Sequence, residues 1–348
     1  MSPPILMILL LGLTLGTLIT ISSSHWLLAW MGLELNTMAI IPLMAQLHHP
    51  RAVEATTKYF LTQAAAAATL LFASTYNAWL TGQWDIYNMS APLPNTLIIL
   101  ALAFKIGLAP LHAWLPEVLQ GLDYTTGLIL STWQKIAPFT LLLQIQPANS
   151  NIMIFLGLTS ILVGGWGGLN QTQLRKMLAY SSIAHLGWMI LVIQFSPPLS
   201  MLALLTYFFM TSSVFLTFKK YSASNINTIS TSWAKSPALT AITPLILLSL
   251  GGLPPLTGFM PKWLIIQELT KQELIATATI AAMTALLSLY FYLRLSYAMA
   301  LTMPPNNFSN TTTWRLPSNQ LLLPLTTAST MTICLLPLTP TMNALLTF

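Results

Sequence analysis

Apolar runs long enough to cross a bilayer follow one another along almost the whole chain, and this constrains the fold more than any other feature. A hydrocarbon core of ~30 Å needs ~20 apolar residues per helix. By that criterion eleven candidate spans fall at about 4–21, 26–46, 59–80, 95–119, 125–144, 152–169, 177–193, 199–218, 238–269, 274–299 and 321–346. Connections are mostly short, so successive helices are expected to be antiparallel neighbours in one bundle. Two longer stretches, 222–236 and 302–318, are polar and rich in Asn, Ser and Thr. Charge is scarce: 13 Lys or Arg and 7 Asp or Glu in 348 residues, or 6%, against ~25% for an ordinary soluble domain. So little polar surface could not cover a soluble globule. The expected fold is an all-α polytopic membrane protein, one transmembrane domain over 1–348.

Several function classes drop out at once. The net charge of +6 comes from scattered ones and twos, not from the clustered basic face of a nucleic-acid binder. A single Cys334 excludes structural disulfides, Cys-ligated zinc and Cys-held iron–sulfur clusters. The first apolar run lacks a basic leader and a small-x-small cleavage site, so it is expected to be a mature span. His25, His112 and His185 offer no clear pair of axial haem ligands, and His48-His49 is expected to be solvated. The Gly164-Gly165-Trp166-Gly167-Gly168 run lacks the Gly-Lys-Ser/Thr ending of a phosphate loop and predicts close helix packing. No cofactor and no metal are expected in this chain.

Lys and Arg favour the side of the membrane from which a protein is inserted. Loops after even-numbered spans hold Arg51, Lys58, Arg175, Lys176, Lys219, Lys220, Lys235, Arg294 and Arg315, and those after odd-numbered spans hold only Lys271. Nine against one supports eleven spans, with the N-terminus on the basic side and the C-terminus opposite.

Glu34, Lys105, Lys135 and Lys262 do not fit the loops. Each ionisable side chain at bilayer depth costs ~2.5–3.5 kcal/mol on insertion scales. The plain alternatives are buried salt bridges that fix packing, or lysine stems that snorkel to an interface. Apolar sequence flanks Lys105 and Lys135 on both sides, and three lysines with one glutamate cannot all be paired.

Two of these lysines lie beside helix breakers. Gly107, Pro110 and Pro116 follow Lys105 in the fourth span, and Gly251-Gly252-Leu-Pro254-Pro255 precedes Lys262 in the ninth. Unwound backbone at membrane depth survives only against protein or a wet cavity. The broken spans are five apart, an odd offset that inverts orientation. This predicts two inverted five-helix repeats, at about 4–146 and 150–300, plus an extra C-terminal helix at about 321–346. Interrupted segments at matching places in two halves point to a transport site. In that register Glu34 corresponds to the helix carrying His185, each half has a lysine at its broken helix, and Lys135 lies between. A carboxylate beside a buried lysine favours the ammonium, and its withdrawal lets the proton leave. Glu34 with Lys105 therefore forms a candidate switchable pair, with His185 a candidate relay. With no redox centre in the chain, the power for pumping must come from outside it.

The run Phe104-Lys105-Ile-Gly-Leu-Ala-Pro-Leu-His112-Ala-Trp-Leu-Pro-Glu117 resembles the antiporter-like membrane subunits of respiratory complex I. So does Lys176-Met-Leu-Ala-Tyr-Ser-Ser-Ile-Ala-His185-Leu-Gly-Trp188, with support from Gly32-Leu-Glu34, Trp133-Gln-Lys135-Ile-Ala-Pro and Gly-Phe-Met-Pro-Lys262-Trp. The resemblance covers essentially the whole chain. It implies a proton-translocating module of the NADH:ubiquinone oxidoreductase in the inner mitochondrial membrane, with the N-terminus in the matrix and the C-terminus on the intermembrane-space side. By that resemblance the path begins at Glu34, passes Lys105 and the central Lys135, and leaves near Lys262, with His112 and His185 as relay positions. FMN, iron–sulfur clusters and ubiquinone are then expected in other subunits, and the partners are neighbouring membrane-arm and accessory subunits and phospholipid. A stand-alone cation/proton antiporter of the related multi-subunit exchangers and a purely structural subunit are the competing expectations.

Overall fold

In a computed structural model the described residues are 2–46, 49–89, 91–145, 150–234, 236–301 and 322–347, and among them every named element is helical. They form two compact units, residues 1–160 and 161–348.

The first unit holds α1 (Pro3–Ser22), α2 (Trp26–Met44), α3 (Pro50–Thr81), α4 (Pro92–Ile106), α5 (Trp114–Gly121), α6 (Tyr124–Ser131), α7 (Trp133–Gln144) and the start of α8 (Ser150–Gly168). Helix α2 packs between α1 and α3, α3 meets α4 and α5, and α7 closes the group against α1 and α4. The α1–α2 crossing is close because it is lined by small residues. An added Cβ at Gly12 would stand 3.3 Å from Ala39 Cβ, and one at Gly16 would overlap the Asn36 side chain. Spacing small residues four apart lets helix backbones approach without a hydrophobic driving force.

The second unit holds the rest of α8, then α9 (Leu174–Val192), α10 (Pro197–Tyr221), the short α11 (Ile226–Ser230), α12 (Pro237–Gly251), α13 (Phe259–Lys271), α14 (Ile275–Leu301), α15 (Leu322–Cys334) and α16 (Thr339–Thr347). Helix α10 is its centre, touching α9, α12, α13, α15 and α16. The glycine run of α8 does serve packing. A Cβ at Gly164 would come within 2.6 Å of the Ala184 nitrogen on α9, and one at Gly168 within 2.8 Å of the Phe291 ring on α14.

Among the described residues five helices are each long and apolar enough to cross a membrane, including α1, α10 and α14. Their outward faces are hydrocarbon: Ile8, Leu18 and Met283 are each more than half exposed, as suits a lipid solvent. Helical hydroxyls turn inward to their own backbone, as Thr17 donates to the Thr14 carbonyl, Thr206 to Ala203 and Thr217 to Val214. Each of these threonines thereby satisfies its hydroxyl within its own helix.

Several expected boundaries move. The third span begins earlier, at Pro50, where His49 Nδ1 accepts a hydrogen bond from the Arg51 backbone and caps α3; His48 lies outside the described residues. The fifth span is interrupted at Thr132 (φ −113°, ψ −70°). Ser131 Oγ, Thr132 Oγ1 and the Thr132 N–H all converge on the Leu128 carbonyl, and such back-bonding bends helices. The polar stretch 222–236 contains α11 and a 3₁₀ turn. The last span breaks at Leu335 between α15 and a 3₁₀ turn. Arg294 is not a loop residue but lies inside α14, where its guanidinium donates to the Leu169 carbonyl at 3.0 Å. Lys235, Arg315 and the stretch 302–318 lie outside the described residues.

Candidate functional site

Both broken helices end in the same backbone device. Gly107 (φ +86°) donates its N–H to Ala103 and Phe104, and Leu108 donates to Ala103. Gly252 (φ +82°) donates to Leu248 and Ser249, and Leu253 donates to Leu248. This is the Schellman closure, which needs a left-handed residue that glycine adopts without steric cost.

Lys105 sits in the last turn of α4, two residues before the first closure. Its Nζ is 3.5 Å from Glu34 Oε1 on α2, and the lysine side chain is buried while the carboxylate is partly exposed. Thr37 Oγ1 donates to the other oxygen of Glu34 at 3.3 Å. Lys135 is the third residue of α7, just past the Thr132 interruption, and is buried. The two lysines therefore stand at opposite ends of helix dipoles, Lys105 at a carbonyl end and Lys135 at an N–H end.

Lys105 and Lys135 line one cavity with Thr37, Tyr59, Gln63 and Gln134. About 20 Å³ of it is open to the centre of a water-sized sphere, against the ~10–15 Å³ that one water needs. Gln63 Nε2 is buried and has no hydrogen-bond partner among the described residues. Gln134 Nε2 donates to the Asn36 carbonyl at 3.2 Å. Polar walls and sufficient room make this a place that water can occupy. Trp114 completes the cavity wall, its indole N–H donating to the Phe104 carbonyl at 3.2 Å and its ring meeting Tyr59 edge-on at 5.8 Å.

The second unit has a smaller cavity, lined by His185, Thr206, Lys262 and apolar neighbours. Lys262 lies in the first turn of α13, after the break, and its Nζ donates to the Gly251 carbonyl at 2.8 Å. His185 is buried on α9 with its ring 5.7 Å from that of Tyr207. Five expected site residues thus fall into two groups within single units: Glu34 and Lys105 as an ion pair with Lys135 on the same cavity, and His185 with Lys262. His112 lies in the turn between α4 and α5, its Nδ1 3.3 Å from the Pro110 carbonyl oxygen, outside the cavity lining. Among the described residues no three His, Cys, Asp or Glu come together as a metal site.

Residues 23–288 match the model of the NADH:quinone oxidoreductase/Mrp antiporter transmembrane family. The chain belongs to that family. Residues 289–343 further match the NADH dehydrogenase subunit 2 C-terminus. The chain is 70% identical over 340 residues to an NADH-ubiquinone oxidoreductase chain 2 from Tetraodon nigroviridis, covering 98% of each. It is 66% identical over 348 residues to that of Salmo salar, covering 100% of each. It also resembles a chain of respiratory complex I from Thermus thermophilus, with a TM-score of 0.85 at 28% identity, covering 98% of this chain and 79% of that one. A chain of the Mrp complex from Dietzia shares the fold, with a TM-score of 0.84 at 18% identity, covering 97% of this chain and 77% of that one.

All six candidate residues lie inside the stretch matched by the antiporter family. Tyr59, Gln63, Gln134 and Trp114 are cavity residues that the sequence reading passes over. The available signal was a polar side chain such as Gln63 or Gln134 inside an apolar run, a weaker mark at bilayer depth than a charge. Just before the apolar run of α3, Lys58 Nζ lies 2.7 Å from both Glu54 Oε1 and Glu117 Oε2. These two carboxylates hold the Lys58 ammonium above the ordinary lysine range. The contact ties α3 to α5, the half-helix that follows the first break.

Proposed function

We propose that this chain conducts protons through the membrane arm of complex I, using Glu34, Lys105 and Lys135 as one chain of titratable groups and His185 with Lys262 as a second. It is an antiporter-like subunit of the proton-pumping NADH:ubiquinone oxidoreductase, a multi-pass protein of the inner mitochondrial membrane. The observation that carries the reading is the 3.5 Å Glu34–Lys105 pair at the edge of a cavity shared with Lys135. With the carboxylate close, Lys105 keeps its proton; with the carboxylate withdrawn, the ammonium stands unpaired in a low-dielectric site and passes the proton to water. Lys135, facing the same cavity from a helix N-terminus, is the next acceptor. His112, in the turn after Lys105, is a relay candidate toward the membrane surface, and Lys262 with His185 serves the exit side.

The eleven crossings, the two inverted repeats and the extra C-terminal helix belong to this proposal, as does a matrix N-terminus with the C-terminus in the intermembrane space. So does the assignment of FMN, iron–sulfur clusters and ubiquinone to other subunits. The matching closures at Gly107 and Gly252 support the repeats.

In assembled complex, Glu34→Ala is expected to lower the protons translocated per NADH oxidised; an unchanged ratio counts against the path. In mild detergent the chain is expected to migrate with NADH dehydrogenase activity. Migration apart from that activity, with cation/proton exchange retained, would favour the stand-alone antiporter.

A further inference from the structure

The segments that follow the two closures align residue for residue. Gly107-Leu-Ala-Pro110-Leu-His-Ala-Trp114-Leu-Pro116-Glu117 runs parallel to Gly252-Leu-Pro-Pro255-Leu-Thr-Gly-Phe259-Met-Pro261-Lys262. Each glycine is left-handed and donates to the carbonyls three and four residues before it, so the alignment holds in the backbone at the two closures. It places Lys262 opposite Glu117, not opposite Lys105, and Phe259 opposite Trp114.

Each break is also tied by a side chain from the half-helix that follows to a carbonyl in the last turn of the half-helix before, and the two ties use different donors. In the second unit Phe259 has no side-chain N–H to give, and the Lys262 ammonium takes the Gly251 carbonyl at 2.8 Å. In the first unit the aligned residue is a carboxylate, Glu117, which turns to Lys58. The tie passes to Trp114, whose indole N–H holds the Phe104 carbonyl at 3.2 Å. The carbonyl held is that of the residue immediately before Lys105.

We infer that Trp114 is a positioning residue for Lys105: its indole N–H fixes the end of α4, and with it the reach of the Lys105 ammonium to Glu34. The Nζ–Oε1 separation of 3.5 Å lies at the limit of a charge-assisted hydrogen bond, whose usual length is ~2.7–2.9 Å, so a small shift of the last turn makes or breaks it. The ring is well placed to hold that turn. It is buried, braced by Tyr59, and packs within 3.3 Å of where a Cβ on Gly107 would stand. A neutral donor holds this break whatever the protonation of the site, which leaves Lys105 free to exchange its partner.

The inference rests on Lys105 being in the proton path, and the test separates the two. Trp114→Phe keeps a ring and removes the N–H. In assembled complex it is expected to lower protons per NADH by less than Lys105→Ala does, and to cause no further loss when combined with Lys105→Ala. A Trp114→Phe ratio equal to wild type, or an added loss in the double variant, overturns the inference. If Lys105→Ala itself leaves the ratio unchanged, both readings fall. Should Trp114→Phe not assemble, Trp114→His restores a ring N–H: assembly with partial pumping supports the tie, and failure of both marks a packing role and overturns it.

Discussion

Lys105→Ala in assembled complex is expected to lower protons translocated per NADH to what other paths carry, and to leave the complex less stable. The two effects have different causes and can be separated. Removing a positioned proton carrier typically slows its transfer step by ~10²–10⁴-fold, which closes the path on the timescale of turnover. Removing one partner of a buried ion pair also strands the other, at ~3–5 kcal/mol when both are fully buried. Here Glu34 keeps some exposure and a hydrogen bond from Thr37, so the cost falls below that range. Adding Glu34→Gln to Lys105→Ala removes the stranded charge. The double variant is expected to regain thermal stability, measured by the inactivation midpoint of NADH:ubiquinone activity, without regaining pumping. If pumping returns together with stability, the pair served only to hold the bundle, and the structural reading wins.

The sequence carried the helical membrane fold plainly, because apolar runs and scarce charge are local properties of the chain. Both breaks were legible for the same reason: Gly107 and Gly252 adopt a backbone that other residues avoid, and prolines follow each. Thr132 was not legible. No glycine or proline stands there, and the interruption arises from two hydroxyls sharing one carbonyl with a backbone N–H. The lysines announced themselves by their cost in a bilayer, but their neighbours did not. Gln63 and Gln134 come from α3 and α7 and meet Lys105 only through packing. Lys58 and Glu117 are 59 residues apart in the chain. Arg294 misled for a physical reason: a guanidinium inside a helix can cap a neighbouring helix, so a basic residue near a span end need not lie in a loop.

Gly258→Ala is expected to force apart the two half-helices at the second break, and Gly251→Ala, seven residues earlier, is expected to be tolerated. A methyl at Gly258 would overlap the Ser249 carbonyl oxygen, part of the turn that Gly252 closes. Both groups are backbone, so no side chain can swing aside, and α12 and α13 must separate to make room. Separation removes the 2.8 Å bond from Lys262 to the Gly251 carbonyl and uncovers an ammonium in a buried site. At Gly251 the nearest atom to an added Cβ is 3.7 Å away on Tyr292, ordinary contact, and exchanging glycine for alanine within a helix favours the fold by up to ~1 kcal/mol. The carbonyl that Lys262 uses is backbone and survives that change. Gly258→Ala should therefore exceed the ~1 kcal/mol typical of a point substitution, seen as reduced assembled complex and lost pumping in what assembles, while Gly251→Ala stays at wild-type level in both. Equal behaviour of the two variants would mean that the close approach of α13 to the end of α12 does not hold Lys262 in place.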